Sequence, residues 1–432
     1  MKKALILTYY WPPGSGPGVQ RWLKFSKYLP QFEIQPTVIT VKNGSYPSTD
    51  ESLLGDIPSE LKVHHTKTVE PFAIYNALRG KKGNSVEVGM GNLKGKPSML
   101  SKVANHVRAN YFIPDARKGW NSFAYKKALE VIDEEKPDCI ITTGPPHSTH
   151  LVGERLKRET GIPWIADMRD PWTTIYYNAF LNRTEGTKKK DKALEDLVLK
   201  NASAVVVAST AMKDEFSDRS KKISFIPNGY DEEDFHDLKT IERNKFIIAY
   251  TGNLKSNQNC TALWEALKEL SENAEFKANF RLEVTGNVDE GIIAEWKKLG
   301  LNELIDQKPF VPHKQSIEIM HSSHMLLLPI PKSENNKGII TGKIFEYLAS
   351  RRPILSLGPK DGNASEILSM CGKETMLDYS DKIGIRTMIS SAFDRYKSGN
   401  LSRDTGNEIY RNYSRLGCTE QLSNVIINQI VH

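Results

Sequence analysis

A chain of 432 residues is longer than one ordinary core fills, so two domains are expected. Its 39% hydrophobic and 26% charged residues exclude a long disordered or fibrous polymer. The formal charge of +7 is modest for this length. Four cysteines (Cys139, Cys260, Cys371 and Cys418) lie far apart without CxxC spacing, which argues against a disulfide frame or a zinc site and for reduced thiols in the cytoplasm.

The chain opens with Met1-Lys-Lys-Ala-Leu-Ile-Leu-Thr8, an apolar run too short for a secretory signal and read as a first strand. Short apolar runs then alternate with longer periodic segments, the pattern of parallel sheets with crossover helices. In the first half, strands are expected over 4–8, 37–41, 139–143, 164–167, 204–208 and 223–226, with helices over 19–29, 122–135, 147–160 and 190–201. The Gly-, Lys- and Pro-rich stretch 43–115 reads as an irregular insertion. The pattern pauses across the polar segment 231–244 and restarts at 246–251, which marks the domain boundary. Beyond it, strands are expected over 280–285, 325–329 and 353–356, with helices near 261–271, 315–321 and 343–350. An amphipathic segment over 421–431 is expected to pack back on the first domain. The fold class is α/β, two doubly wound Rossmann-like domains facing a cleft: residues 1–236, residues 237–412, and a returning segment over 413–432. No run reaches the ~18 apolar residues that cross a membrane.

The segment Gly338-Ile-Ile-Thr341-Gly342-Lys343-Ile-Phe-Glu346 places small residues, one lysine and one glutamate at the mouth of an apolar helix. A helix start presents unpaired N–H groups and the positive end of the macrodipole, so it attracts phosphate. Lys343 adds a full charge there, and Glu346 can accept hydrogen bonds from sugar hydroxyls. The spacing is one residue short of a P-loop, and Ile344 stands where a P-loop requires Ser or Thr. Upstream, Gly14, Gly16 and Gly18 follow the first strand. They permit positive φ or the close approach of a ligand, and equally serve simple turn chemistry among prolines.

Between Arg79 and Lys118, cations outnumber acids: Arg79, Lys81, Lys82, Lys94, Lys96, Lys102, Arg108, Arg117 and Lys118 face Glu87 and Asp115. Two readings stand, a solvated basic loop or a surface that meets anionic lipid or an acidic substrate. The turn Thr143-Gly-Pro-Pro-His147 leads into a helix on which His147 and His150 share a face. As a zinc pair they lack a third ligand, so no metal is expected. His147 either lines the cleft or simply starts the helix.

Three regions together resemble the GT-B glycosyltransferases close to family 4. They are the loop Tyr9-Tyr-Trp-Pro-Pro-Gly-Ser-Gly-Pro-Gly18, the segment Phe225-Ile-Pro-Asn-Gly-Tyr-Asp231 through Phe235, and Thr341-Gly-Lys-Ile-Phe-Glu-Tyr-Leu-Ala349. Tyr250-Thr-Gly-Asn-Leu254 is a weaker fourth. The resemblance implies that Gly16 and Gly18 belong to an acceptor-side or phosphate-facing loop. It implies a donor site in which Lys343 neutralises diphosphate and Glu346 binds ribose, together with Thr341, Gly342, Gly252, Asn253, Lys255 and Val311. The departures are clear. The glutamate that relatives carry eight positions before Glu346 is Gly338 here, with Glu334 out of register. The relatives' arginine is Asn253, their lysine falls near Asn259, and Lys255 is the cation at hand. In the first domain, Arg169 occupies the position of a family histidine, followed by Asp170. That pair either faces the reacting sugar or is a buried ion pair holding the loop.

The resemblance therefore implies a retaining, metal-independent transferase with Lys343, Arg169, Asp170 and His147 as its catalytic group. It needs no cofactor, since the nucleotide-sugar is a substrate. The acceptor would be a glycan or polyprenyl-linked glycan in surface polysaccharide synthesis, handled in the cytoplasm or at the inner membrane face, with no nucleic acid as partner. The alternatives are a nucleotide-sugar 2-epimerase of the same fold and a non-catalytic glycan binder.

Overall fold

The computed structural model describes residues 1–69, 106, 109–175, 178, 181–334, 336–402 and 406–430. The chain divides into two compact units, Met1–Asn228 with Cys418–His432, and Gly229–Gly417.

In the first unit, strands β1 (Lys2–Leu7), β2 (Ile34–Val41), β3 (Lys62–Thr66), β4 (Cys139–Gly144), β5 (Trp164–Met168), β6 (Ala204–Val207) and β7 (Ile223–Phe225) form one sheet. Its order is β3-β2-β1-β4-β5-β6-β7, and every pairing is parallel. The helices are α1 (Pro17–Tyr28), α2 (Asn121–Glu135), α3 (Ser148–Thr160), α4 (Glu185–Asn201) and α5 (Thr210–Phe216). A central parallel strand must bury both faces, and β1 shows how. Leu5 and Leu7 enter a core with Trp120 and Ala124 at and in α2, Val152 and Leu156 of α3 and Val198 of α4. The alternate residues Ala4 and Ile6 enter a second core with Trp22, Leu23 and Phe25 of α1.

The second unit repeats the scheme with β8 (Phe246–Thr251), β9 (Phe280–Thr285), β10 (Ile305–Lys308), β11 (Met325–Pro329) and β12 (Ile354–Leu357), in the order β10-β9-β8-β11-β12, all parallel. Its helices are α6 (Thr261–Leu270), α7 (Ala274–Asn279), α8 (Glu290–Lys298), α9 (His313–Ser322), α10 (Lys343–Ser350), α11 (Asn363–Met370) and α12 (Lys382–Lys397). Phe246, Ile248 and Tyr250 of β8 pack with Trp264 of α6, Trp296 of α8 and Phe393 of α12. The last helix, α13 (Arg415–Ile430), contributes Cys418, Leu422 and Ile426 to the α1-side core of the first unit.

Two departures from the sequence reading follow from edge positions. The stretch 43–115, read as irregular, contains β3, and β10 was not anticipated. Both are outer strands of their sheets. β3 reads KVHHT and β10 reads IDQK, without the apolar run that a strand buried on both faces requires. Helix α4 also starts at Glu185, five residues before the expected Lys190, because Thr184 caps it by accepting from the Thr187 amide.

Doubly wound sheets bind ligands outside the carboxyl ends of the strands where the winding reverses. In the first unit that point lies between β1 and β4, and in the second between β8 and β11.

Candidate active site

The sequence-predicted residues of the first unit follow β1, β4 and β5. Gly16 has φ of +116° and immediately precedes α1, a conformation in which a side chain is strained. Gly18 is required for a different reason: a methyl group there would overlap the Arg169 guanidinium. Arg169 follows β5, donates from Nε to Thr143 Oγ1 at 3.1 Å and bonds the Pro145 carbonyl through Nη2. It therefore binds the β4 turn to the β5 loop and covers the start of α1. Asp170 beside it is exposed.

The buried ion pair at this place is formed by other residues. Asp167 of β5 accepts from Arg21 Nη2 at 2.9 Å, Trp22 Nε1 at 2.7 Å and Thr143 Oγ1 at 2.8 Å, and both charged side chains are essentially unexposed. Arg21 also donates to the Pro227 carbonyl at 2.6 Å. A carboxylate inside a parallel strand is stable only with such partners. A lone Asp in the run Trp164-Ile-Ala-Asp-Met168 was the signal available in the sequence.

His147 lies just before α3, and its ring stacks on Trp172 with centroids 4.9 Å apart at 7°. The His150 ring is 6.0 Å away and meets Thr142 Oγ1 at 2.8 Å through Nδ1. Both imidazoles flank Gly144, where an added methyl would meet His150 Nε2 at 2.5 Å and His147 Nδ1 at 2.9 Å. Burial, then the neighbouring His150, then Arg169 push the His147 pKa well below its ordinary value. Burial and then Arg169 take His150 down to about 3. Both rings are therefore neutral. Among the described residues, no group of three or more His, Cys, Asp or Glu side chains is arranged to hold a metal ion.

Helix α4 fixes the loop that carries Arg169 and Asp170. Asp191 Oδ1 accepts from Trp172 Nε1 at 2.8 Å, and Arg183 pairs with Asp191 at 2.5 Å. Glu195 accepts from the Thr173 amide at 3.1 Å, and from Arg219 at 2.6 Å. Sequence reading did not single out this network.

In the second unit, β8 is followed by Gly252, whose φ is +112°. A methyl there would lie 3.0 Å from the Lys343 ammonium, and a methyl on Gly286 would overlap the Gly252 carbonyl. The two glycines thus let β8, β9 and the first residue of α10 come together. Lys343 Nζ lies 5.3 Å from the Tyr250 ring centroid. Burial lowers the Lys343 pKa, Glu346 opposes the shift and Lys255 adds to it. Lys255 is itself exposed. Gly342 and Thr341 precede Lys343, and their carbonyls already accept from the Phe345 amide at 3.3 Å and the Ile344 amide at 3.1 Å.

Glu346 stands one turn along α10. Burial lifts its carboxyl above the usual range, with His313 and Lys343 opposing and Asp234 adding to the rise. His313, the first residue of α9, was not anticipated. Its Nε2 lies 3.1 Å from Asp234 Oδ2 and 3.9 Å from Glu346 Oε1. Val311 precedes it by two residues and is half-buried. Asn253 Oδ1 accepts from Asn287 at 3.2 Å. Asn259, at the family's lysine position, donates to Glu295 at 2.6 Å and accepts from Trp264 Nε1 at 2.6 Å, which commits it to packing.

Of the basic stretch 79–118, Arg79, Lys81, Lys82, Glu87, Lys94, Lys96, Lys102 and Arg108 lie outside the described residues. Within them, Lys118 Nζ lies 5.5 Å from the Phe112 ring centroid and Tyr111 is 69% exposed. Among the described residues no helix is long and apolar enough to cross a membrane.

Two doubly wound parallel sheets, each with its glycines, cations and carboxylates at the carboxyl ends of strands at or next to the reversal, define a GT-B fold α/β protein. The sequence profile of Glycosyltransferase Family 4 matches residues 18–234, half of the chain, and the chain belongs to that family of transferases. Solved structures agree on the fold. A glycosyltransferase from Rickettsia africae ESF-5 superposes with a TM-score of 0.61 at 14% identity, covering 99% of this chain and 98% of its own. Sucrose-phosphate synthase from Thermosynechococcus elongatus gives 0.61 at 11% identity over 100% of both chains. A TarM variant from S. aureus, solved with Fondaparinux, alpha-GlcNAc-glycerol and UDP, gives 0.56 at 10% identity, over 99% of this chain and 100% of its own. No sequence among the curated proteins matches this chain.

Proposed function

We propose that this transferase moves a sugar from a nucleotide-sugar donor to the hydroxyl of a glycan or lipid-linked glycan, with retention of configuration and without a metal. The observation that carries the reading is Lys343, seated over Gly252 at the mouth of α10 with Glu346 one turn further on. A half-buried ammonium beside a helix N-terminus supplies positive potential where a diphosphate leaving group gathers charge. Glu346 takes the ribose hydroxyls. Thr341, Gly342, Gly252, Asn253, Lys255 and Val311 surround the donor, so that the protein contributes orientation and potential more than a nucleophile.

The first unit serves the acceptor in this reading. Asp170 is its exposed carboxylate, and Gly16 and Gly18 shape the adjoining loop. Arg169 and His147 act from within, the first as the tie between two loops and the second as a neutral ring stacked on Trp172. The acceptor belongs to surface polysaccharide synthesis and is presented from an anionic membrane, against which Tyr111, Phe112 and Lys118 rest. Flotation on vesicles with and without anionic lipid tests that part, and equal partitioning refutes it.

The donor reading is tested by thermal shift against UDP, GDP, ADP and CMP and their sugar forms, UDP first because TarM was solved with it. A ligand that binds only the folded chain raises its stability by RT ln(1 + [L]/Kd). A rise with one nucleoside diphosphate supports the donor site and names its base. No rise with any of them removes the reading.

A further inference from the structure

The second unit brings together three titratable groups from three elements: Asp234 on the turn Glu232–Phe235, His313 at the start of α9, and Glu346 on α10. We propose that His313, anchored on Asp234, is the positioning residue that holds the Glu346 carboxylate in one orientation for the donor. This rests on the donor reading of Glu346 given above.

The geometry has a clear order. The 3.1 Å separation from Asp234 is a hydrogen bond, so it fixes the ring. The 3.9 Å separation from Glu346 Oε1 is too long for a hydrogen bond and short enough for an ion pair. The ring is therefore held by one carboxylate and directs its charge at the other. Without His313, Asp234 and Glu346 would be two acids sharing a partly buried region, and their repulsion would turn Glu346 away.

The charged groups facing His313 favour the imidazolium. Its pKa is raised above the ordinary 6.5 by the Asp234 hydrogen bond first, against burial, and then by Glu346, Asp234 and Asp231. Lys343 and Arg415 act on Glu346 and oppose, without cancelling, the rise that burial gives its carboxyl. Since the folded pKa of His313 is raised, the pairing is complete below the ordinary value and is lost as pH rises through the raised one. Donor affinity then falls on the alkaline side for a reason independent of the nucleotide.

The test has two parts. First, the His313 ring is titrated by NMR in the ligand-free protein and in Glu346→Gln. The expected result is a pKa above the ordinary histidine value that drops in the variant; an unchanged pKa overturns the pairing. Second, Kd for UDP and GDP is measured by calorimetry from roughly pH 6.5 to 9 in the wild-type chain and in His313→Gln. Wild-type affinity is expected to weaken with rising pH. The variant is expected to be weaker by up to about fivefold at the acid end, with a flattened profile, as suits a half-exposed ion pair. Equal affinities and equal profiles overturn the positioning role and leave the donor site standing. Binding of no nucleotide of the thermal-shift panel to the wild-type chain, with the NMR coupling intact, overturns the donor reading and this role with it.

Discussion

Asp167→Asn tests the reasoning about the first unit most sharply. The carboxylate receives Arg21 on Oδ1 at 2.9 Å, and Trp22 and Thr143 on Oδ2 at 2.7 and 2.8 Å. An amide has one acceptor oxygen, so either orientation turns an NH2 group toward a donor. If it faces Arg21 Nη2, the guanidinium loses its counter-charge and its shorter bond, and at residue 167 keeps only the 3.4 Å contact of Nε with the other atom. If it faces Oδ2's partners, the Trp22 indole is stranded, because it can only donate. Thr143 cannot compensate freely, since its hydroxyl already accepts from Arg169. An uncompensated buried charge costs about 3–5 kcal/mol, a range that already includes the unmade hydrogen bond. The assay is urea unfolding followed by tryptophan fluorescence, with the transition of the first unit fitted separately. Asp167→Leu combined with Arg21→Met should recover much of the loss, because it removes both charges together. A loss below about 1 kcal/mol for Asp167→Asn would refute the argument, since that is the range of an exposed pair.

Other outcomes follow from the same contacts. Gly18→Ala should displace the Arg169 guanidinium at a cost of about 1–3 kcal/mol and lower kcat by tenfold or more, if about 1 Å of misplacement matters as elsewhere; unchanged turnover would show that the position of Arg169 is immaterial. His150 has a folded pKa depressed to about 3, so its contribution to stability is complete above the ordinary value of 6.5 and is lost as pH falls below it. At pH 5 the loss is about 2 kcal/mol, read as the difference in pH dependence of unfolding between wild type and His150→Gln; parallel curves would contradict it. Trp172→Phe keeps a ring for His147 to stack on and removes the N–H that Asp191 accepts, so it should cost about 1–2 kcal/mol by chemical denaturation. An unaffected midpoint would mean that α4 does not hold the loop through Asp191.

The strands that carry the site were legible because central parallel strands are apolar on both faces. Runs such as Ala-Leu-Ile-Leu of β1 and Met-Leu-Leu-Leu of β11 admit few other readings. Helix α10 was legible to its exact bounds, since Gly342 precedes it and its buried side reads Ile344, Phe345, Tyr347 and Leu348. Edge strands β3 and β10 were not, because a polar edge carries no such run. At the site, Gly16, Gly18 and Gly252 are explained by φ or by close approach, which the spacing alone did not distinguish. Arg169 and Asp170 were expected either to face the sugar or to pair with each other in the interior. The interior pair is instead Arg21 with Asp167, while Asp170 is exposed. The partners His313, Asp234, Asp191 and Glu195 come from segments distant in sequence, so only the folded chain puts them beside Glu346 and Trp172.

The central claim is that Lys343 holds the donor's diphosphate, and calorimetry on wild type and Lys343→Ala with the nucleoside diphosphate found by thermal shift tests it directly. The account predicts that the wild-type chain binds and that the variant binds about 10- to 150-fold more weakly, the worth of one charge-assisted hydrogen bond. It also predicts a smaller loss for the corresponding nucleoside monophosphate. Equal affinities in the two proteins would contradict it.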